Sequence, residues 1–120
     1  MTDVTGFGLA GHLLSILEAS HLSARLDLPA VPLLPGAATL SRAGHGSSLL
    51  PANRAAQGRM LLPESPETAL LFDPQTAGGM LAAVPPSVAN ELLARLTDMG
   101  ETAAVIGRLD VGPAFITVEE

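Results

Sequence analysis

An α+β fold, a mixed β-sheet with helices packed on it, is where three features of the sequence converge. Helical spacing occurs twice, at Leu9, Leu13, Ile16 and Leu17 and again at Val88, Leu92, Leu93, Leu96 and Met99. Clean alternation places Ala24, Leu26 and Leu28 on one face, and short apolar runs follow at residues 80–84, 103–106 and 114–118. The resulting order, α-β-α-loop-β-β-α-β-β, contains no repeated βαβ unit.

The elements follow in chain order. Residues 8–19 read as an amphipathic helix with Thr5 as its N-cap, and the glycines there leave the first-turn N–H groups open. Residues 23–28 form a half-buried strand ended by Pro29, and residues 35–43 suit a short helix. From residue 44 to 66 the pattern dissolves into Gly, Ser and Pro, an irregular connection with one helical turn after Asn53. Leu70, Leu71 and Phe72 lead to a second polar motif, and the apolar run 80–84 suits a central strand buried on both faces. A helix from Val88 to Met99 is closed by Gly100 at C′. Two strands complete the chain, 103–106 and 114–118, with a turn at Asp110-Val111-Gly112-Pro113 between them.

At 120 residues the chain is expected to be one domain, residues 1–120, long enough for a real core. Apolar residues make up 48% of it, yet the only aromatics are three Phe, so the core must be aliphatic. Twelve acids face six Arg and no Lys, for a net charge of −6. A surface of that sign repels nucleic acid and anionic membrane, which excludes both as partners. Without Cys there is no disulfide and no thiolate nucleophile or ligand. No apolar run reaches the ~18 residues of a membrane helix, and no signal-like start is present, so a cytoplasmic location is expected.

Two motifs stand out: Thr2-Asp3-Val4-Thr5-Gly6-Phe7-Gly8 and Asp73-Pro74-Gln75-Thr76-Ala77-Gly78-Gly79. Each joins a carboxylate, a hydroxyl and two glycines beside an apolar segment. A metal-phosphate site asks for that combination: bare N–H groups approach the anion where no Cβ intrudes, and a carboxylate holds a hard cation against it.

Each residue also has a structural reading. Asp3 is either a Mg²⁺ ligand or the cap of the turn that follows. Gly6 and Gly8 either present helix N–H groups to a phosphate or let Phe7 tuck in as a core plug, the role expected of that ring. Asp73, Thr76, Gly78 and Gly79 either shape a cleft or domain contact or simply make a turn. Asn53 and Arg54 either meet an anion or partner domain, or serve as a helix cap and a surface charge. His12 is expected to be a hydrogen-bonded, partly buried side chain, and His21 and His45 to be solvated. Gly6-Phe7-Gly8-Leu9-Ala10-Gly11 also spells G-x-G-x-x-G, but too few residues precede it for the strand a dinucleotide fingerprint needs, which leaves a Rossmann-like fragment a poor fit.

The first motif with Leu9-Ala10-Gly11-His12-Leu13 resembles the opening of the C-terminal domain of the selenophosphate synthetases (selenide, water dikinases), within the AIR synthase-related superfamily. The second is similar to that family's Asp-Pro-Gln-Thr-Ser-Gly-Gly signature, with Ala77 replacing the Ser and its hydroxyl. Asn53-Arg54-Ala55-Ala56-Gln57-Gly58, Leu81-Ala82-Ala83-Val84-Pro85 and Ala104-Val105-Ile106-Gly107 fall in the expected order. The resemblance implies an AIR synthase-related C-terminal domain fold and an enzyme that makes selenophosphate from selenide, ATP and water with Mg²⁺. It implies that Asp3 is a metal ligand and that Thr5, Gly6 and Gly8 face phosphate. It places the nucleophile and a phosphate-binding Lys in an N-terminal half that this chain lacks. The chain alone is then expected not to turn over ATP, to bind ligands poorly, and to self-associate as a homodimer. The alternative is a stand-alone interaction module that keeps the fold without the activity.

Overall fold

Alternation over Leu22–Asp27 makes β2 the organising strand, with Ala24 and Leu26 buried and their neighbours turned to solvent. The computed structural model describes residues 1–120. β2 pairs antiparallel with β5 (Gly107–Val111) on one side and parallel with β6 (Ile116–Glu119) on the other. β3 (Met60–Leu61) extends the sheet parallel to β6, giving the order β3-β6-β2-β5. A separate two-stranded ladder joins β1 (Thr2–Asp3) to β4 (Met80–Leu81).

Helix α1 (Gly8–Ser20) buries Ala10, Leu13, Leu14 and Leu17, and these join Ala24, Leu26, Ile116 and Val118 in one core. Full burial of a Leu such as Leu17 stabilises the fold by about 1.5–3 kcal/mol. The helix stops at His21, which takes the left-handed conformation at φ 54. Phe72 and Leu71, fully buried, close the core from a 3₁₀ segment, Pro66–Phe72. That segment is tied to α2 (Ala37–Arg42) by the Arg42–Glu67 ion pair and by Ser41, whose hydroxyl donates to the Pro66 carbonyl at 2.8 Å.

Several expectations need correction. The run 80–84 is not a strand buried on both faces: only Met80–Leu81 pairs, Leu81 alone is buried, and Met80 is 65% exposed. Its sole partner is the short β1, so one side stays open. The strand expected at 103–106 lies four residues later, because pairing with β2 sets Leu109 opposite Ala24 and Gly107 opposite Leu26. The turn accordingly follows Val111. In the 44–66 connection a helical turn does follow Asn53, the 3₁₀ segment Arg54–Arg59, but an unexpected one precedes it: α3 (Leu50–Asn53) carries Pro51 in its first turn, where no N–H is missed. The Rossmann-like reading fails, since β1 pairs antiparallel with β4 and never with β2.

Helix α4 (Pro86–Asp98) forms as expected, with Gly100 at φ 84 beyond its end. None of its residues is buried, and Val88, Leu92 and the following Met99 are exposed. The helices on the sheet are thus led by α1, and α4 lies outside the core. No helix is long and apolar enough to cross a membrane.

Candidate functional site

The two polar motifs, seventy residues apart in sequence, form one structure. In the β1–β4 ladder Asp3 faces Met80 and Thr2 faces Leu81. Beyond it the Val4 N–H donates to the Gly79 carbonyl at 3.0 Å, and the Gln75 N–H donates to the Thr5 carbonyl at 3.0 Å. Motif one is therefore stitched to motif two along its length.

Two glycines make that approach feasible. A Cβ on Gly78 would overlap the Val4 carbonyl, and one on Gly8 would stand 2.8 Å from the Leu71 carbonyl oxygen. Gly8 also sits at φ +70, where only glycine is unstrained. Gly6 and Gly79 differ: nothing lies within 4 Å of where their Cβ would be.

Asn53 is drawn into the same structure. Its amide nitrogen donates to the Gly6 carbonyl at 2.8 Å and to the Phe72 carbonyl at 2.9 Å, so one side chain spans both motif approaches. It caps no helix with that side chain, contrary to the structural reading. Arg54 is exposed, enters none of the ion pairs, and holds its guanidinium 5.9 Å from the Phe72 ring centroid.

Thr5 is not the N-cap of α1. That position belongs to Phe7, which makes no side-chain cap, while the Thr5 carbonyl accepts from the Gly8 N–H at 3.1 Å. The Thr5 N–H donates to His12 Nε2 at 3.0 Å, and its hydroxyl lies 3.1 Å from the same nitrogen. An Nε2 that accepts leaves the ring proton on Nδ1. His12 is half-buried and hydrogen-bonded, as expected, and this contact across one helical turn fixes the loop that Thr5 begins. Phe7 is no core plug: it is 70% exposed, lies against Gly11 and stands 5.9 Å from the His12 ring. The helix gives it no pocket, because its Cβ already abuts the α1 backbone.

Asp3 is exposed, and its carboxylate takes no hydrogen bond from the chain; only its backbone carbonyl is used, by the Thr2 hydroxyl at 3.1 Å. Thr76 is also exposed. Asp73 is half-buried, with Gln75 Nε2 at 3.4 Å from Oδ2, and lines a shallow cleft of about 290 Å³ with Leu40, Ser41, His45 and Ser47. None of those neighbours belongs to motif one, so Asp73 faces away toward α2. As a fit for Mg²⁺, Asp3 offers the hard oxygen the ion requires, but one carboxylate is an incomplete set. No group of three or more His, Asp or Glu side chains gathers to hold a metal ion.

At Glu67 the Ser65 hydroxyl and its own backbone N–H, then Arg42, hold the carboxyl below the ordinary 4.5. It braces the segment leading to Phe72 and touches neither motif. Sequence reasoning missed the His12–Thr5 contact, the Asn53 bridge and the Gln75 N–H. Each of these residues lies inside a motif singled out in the sequence, but the partner it meets does not show there.

The comparisons extend over the whole of this arrangement. The family model described as AIR synthase related protein, C-terminal domain, matches residues 1–118. Selenide, water dikinase of Pseudomonas straminea is 41% identical over 123 residues, covering 98% of this chain and 34% of the relative. The selenide, water dikinase of Escherichia coli (strain K12) is 41% identical over 111 residues, 91% of this chain and 32% of its own length. The chain thus spans about a third of the curated relatives it matches. A match from residue 1 to 118 takes in both motifs and nearly all of the sheet, and on that ground the chain belongs to the AIR synthase related protein, C-terminal domain, family.

Proposed function

We propose that this chain, as one domain, supplies the C-terminal part of a cytoplasmic selenophosphate synthetase, working with an N-terminal ATP-binding half that lies outside residues 1–120. Its share of the reaction is Asp3 as one Mg²⁺ ligand and the turn from Thr5 as a phosphate-facing edge. Gly6 and the Phe7 N–H meet the anion there, while Gly8, its N–H taken by the Thr5 carbonyl, packs the turn in place. Bound Mg²⁺ supplies charge neutralisation to the phosphate oxygens of ATP. The chain's own residues fix where that charge is met. Asn53 grips the Gly6 carbonyl, and a planar trans peptide then aims the Phe7 N–H to the opposite side. The His12 contact holds the Thr5 end, and Gly6 has open space beside it for an anion to approach.

The observation that carries this reading is the pairing of a rigidly stitched turn with a carboxylate left exposed and unbonded at its edge. A structural carboxylate would be capped by the backbone; this one is held out. Since a lone carboxylate holds Mg²⁺ poorly, the remaining ligands, the nucleophile and the phosphate-binding cation belong to the other half, and residues 1–120 alone do not turn over ATP.

Complementation tests it. The chain is mixed with a separately produced N-terminal half of a selenide, water dikinase, and AMP release from ATP is followed with selenide and Mg²⁺. Turnover by the mixture, absent from either half and lost with Asp3→Asn, supports the reading. Silence with both halves folded and bound to each other favours a non-catalytic interaction module of the same fold.

A further inference from the structure

The polar face of the sheet carries charges set like against like. Arg25 of β2 lies opposite Arg108 of β5, and two residues further along β2 Asp27 lies opposite Glu119 of β6. Like charges directly opposite each other destabilise a sheet. Packing does not require either pair, since all four side chains are exposed.

Ion pairs within the chain resolve only half of this arrangement. Arg25 is held by Glu119 at 3.1 Å and by Asp110 at 3.7 Å. Arg108 and Asp27 are left over, and neither enters any of the chain's ion pairs. Yet the two stand close. Arg25 faces Arg108 across the ladder and precedes Asp27 on the same face, so Arg108 and Asp27 are diagonal neighbours. Diagonal positions lie about 7–8 Å apart.

Arg25, Asp27, Arg108 and Glu119 line one open cleft of about 310 Å³ with Val105 and Gly107. That is near the lower end of ligand-site volumes, about 300–1,000 Å³, so only a small molecule fits. A ligand that completes the charge pattern brings an anion to Arg108 and a cation to Asp27 over a short span. The guanidinium takes a carboxylate through two parallel N–H donors, and the carboxylate accepts from an ammonium, in contacts of about 2.7–2.9 Å. A simple anion would be repelled by Asp27 and Glu119, and a simple cation by Arg108. Val105 is the only apolar residue of the lining, enough for a short aliphatic side chain.

We propose that this cleft binds a small aliphatic α-amino acid, its carboxylate on Arg108 and its ammonium on Asp27. None of the lining residues belongs to either motif, and the proposal does not rest on the catalytic reading. Because the charges are exposed, a dissociation constant on the order of 1 mM is expected.

Titration of the chain with L-alanine at constant ionic strength, followed by amide chemical shifts, tests it. Saturable shifts are expected at Asp27 and Arg108. Propionate and ethylamine, each lacking one of the two charges, should bind about tenfold more weakly or worse. Arg108→Gln and Asp27→Asn should each weaken L-alanine by about tenfold or more. Both replace exposed side chains, so urea midpoints should not move. A titration that does not saturate by about 100 mM, a hundredfold above the expected constant, overturns the proposal. So does propionate or ethylamine binding as tightly as L-alanine, or full affinity in either variant.

Discussion

The carbonyl of Val4 occupies the space into which a side chain on Gly78 would project. Gln75 Cβ stands 3.0 Å from that point on another side, so neither neighbour leaves an easy escape. Gly8 repeats the relationship in reverse, pressed against the backbone of residues 71 and 72. Each motif thus spends one glycine on contact with the other motif or its lead-in, and keeps one, Gly6 or Gly79, in the open. Packing accounts for the first pair. The second pair is where ligand chemistry has room to act.

Gly78→Ala should therefore destabilise the fold by about 1–3 kcal/mol, since the backbone of motif one must move. Gly79→Ala should stay within about 0.5 kcal/mol of the parent. Urea unfolding of the two variants side by side checks this, and equal midpoints would refute the packing role.

Asn53→Ala removes the donor that serves Gly6 and Phe72, for an expected loss of about 1–3 kcal/mol. Asn53→Asp should be at least as damaging, because an ionised carboxylate only accepts and would face two carbonyl oxygens. Urea midpoints rank the variants, and amide exchange at Gly8, whose N–H is bonded to the Thr5 carbonyl in the same turn, should quicken in both.

Asp3→Asn separates stability from function. With its carboxylate exposed and free of protein partners, the change should leave stability within about 0.5 kcal/mol. Complemented AMP release should fall by tenfold or more, on the order of one lost charged ligand. Wild-type turnover by this variant in the complementation assay would remove Asp3 from the metal site.

Glu67 sets a pH dependence. Its folded pKa lies below the ordinary 4.5, so it adds stability above that value, and the contribution is lost as pH falls from 4.5 through the folded value. Urea midpoints between pH 7 and 3 should drop more steeply for the parent than for Glu67→Gln. Parallel curves would show that the Ser65 and Arg42 contacts are not kept in solution.

What the sequence revealed follows from what leaves a local trace. The alternation of β2 and the periodicity of α1 and α4 are local, and all three elements formed within a residue or two of expectation. The run 80–84 has no period, so only its partner β1 decides how much of it is strand. Residues 103–106 are more apolar than 107–111, yet pairing with the distant β2 chose the latter. In the site, both motifs were legible as strings of Gly, Thr and Asp, and their meeting was not. Asn53 was ambiguous because its partners are main-chain carbonyls 47 and 19 positions away, a relationship that no side-chain pattern encodes. Phe7 was misplaced because an aromatic between two glycines looks the same whether buried or held out.

β6 follows every other strand in sequence yet lies between β2 and β3. Until residues 116–119 have been synthesised, β3 has no neighbour and β2 has only β5. At about 5–20 residues per second, a nascent chain spends seconds with Ala24, Leu26 and Met60 awaiting Ile116 and Val118. The last strand of this sheet to leave the ribosome is thus the one that closes its centre, and chains stalled or terminated before residue 116 will emerge as substrates for chaperones and proteases.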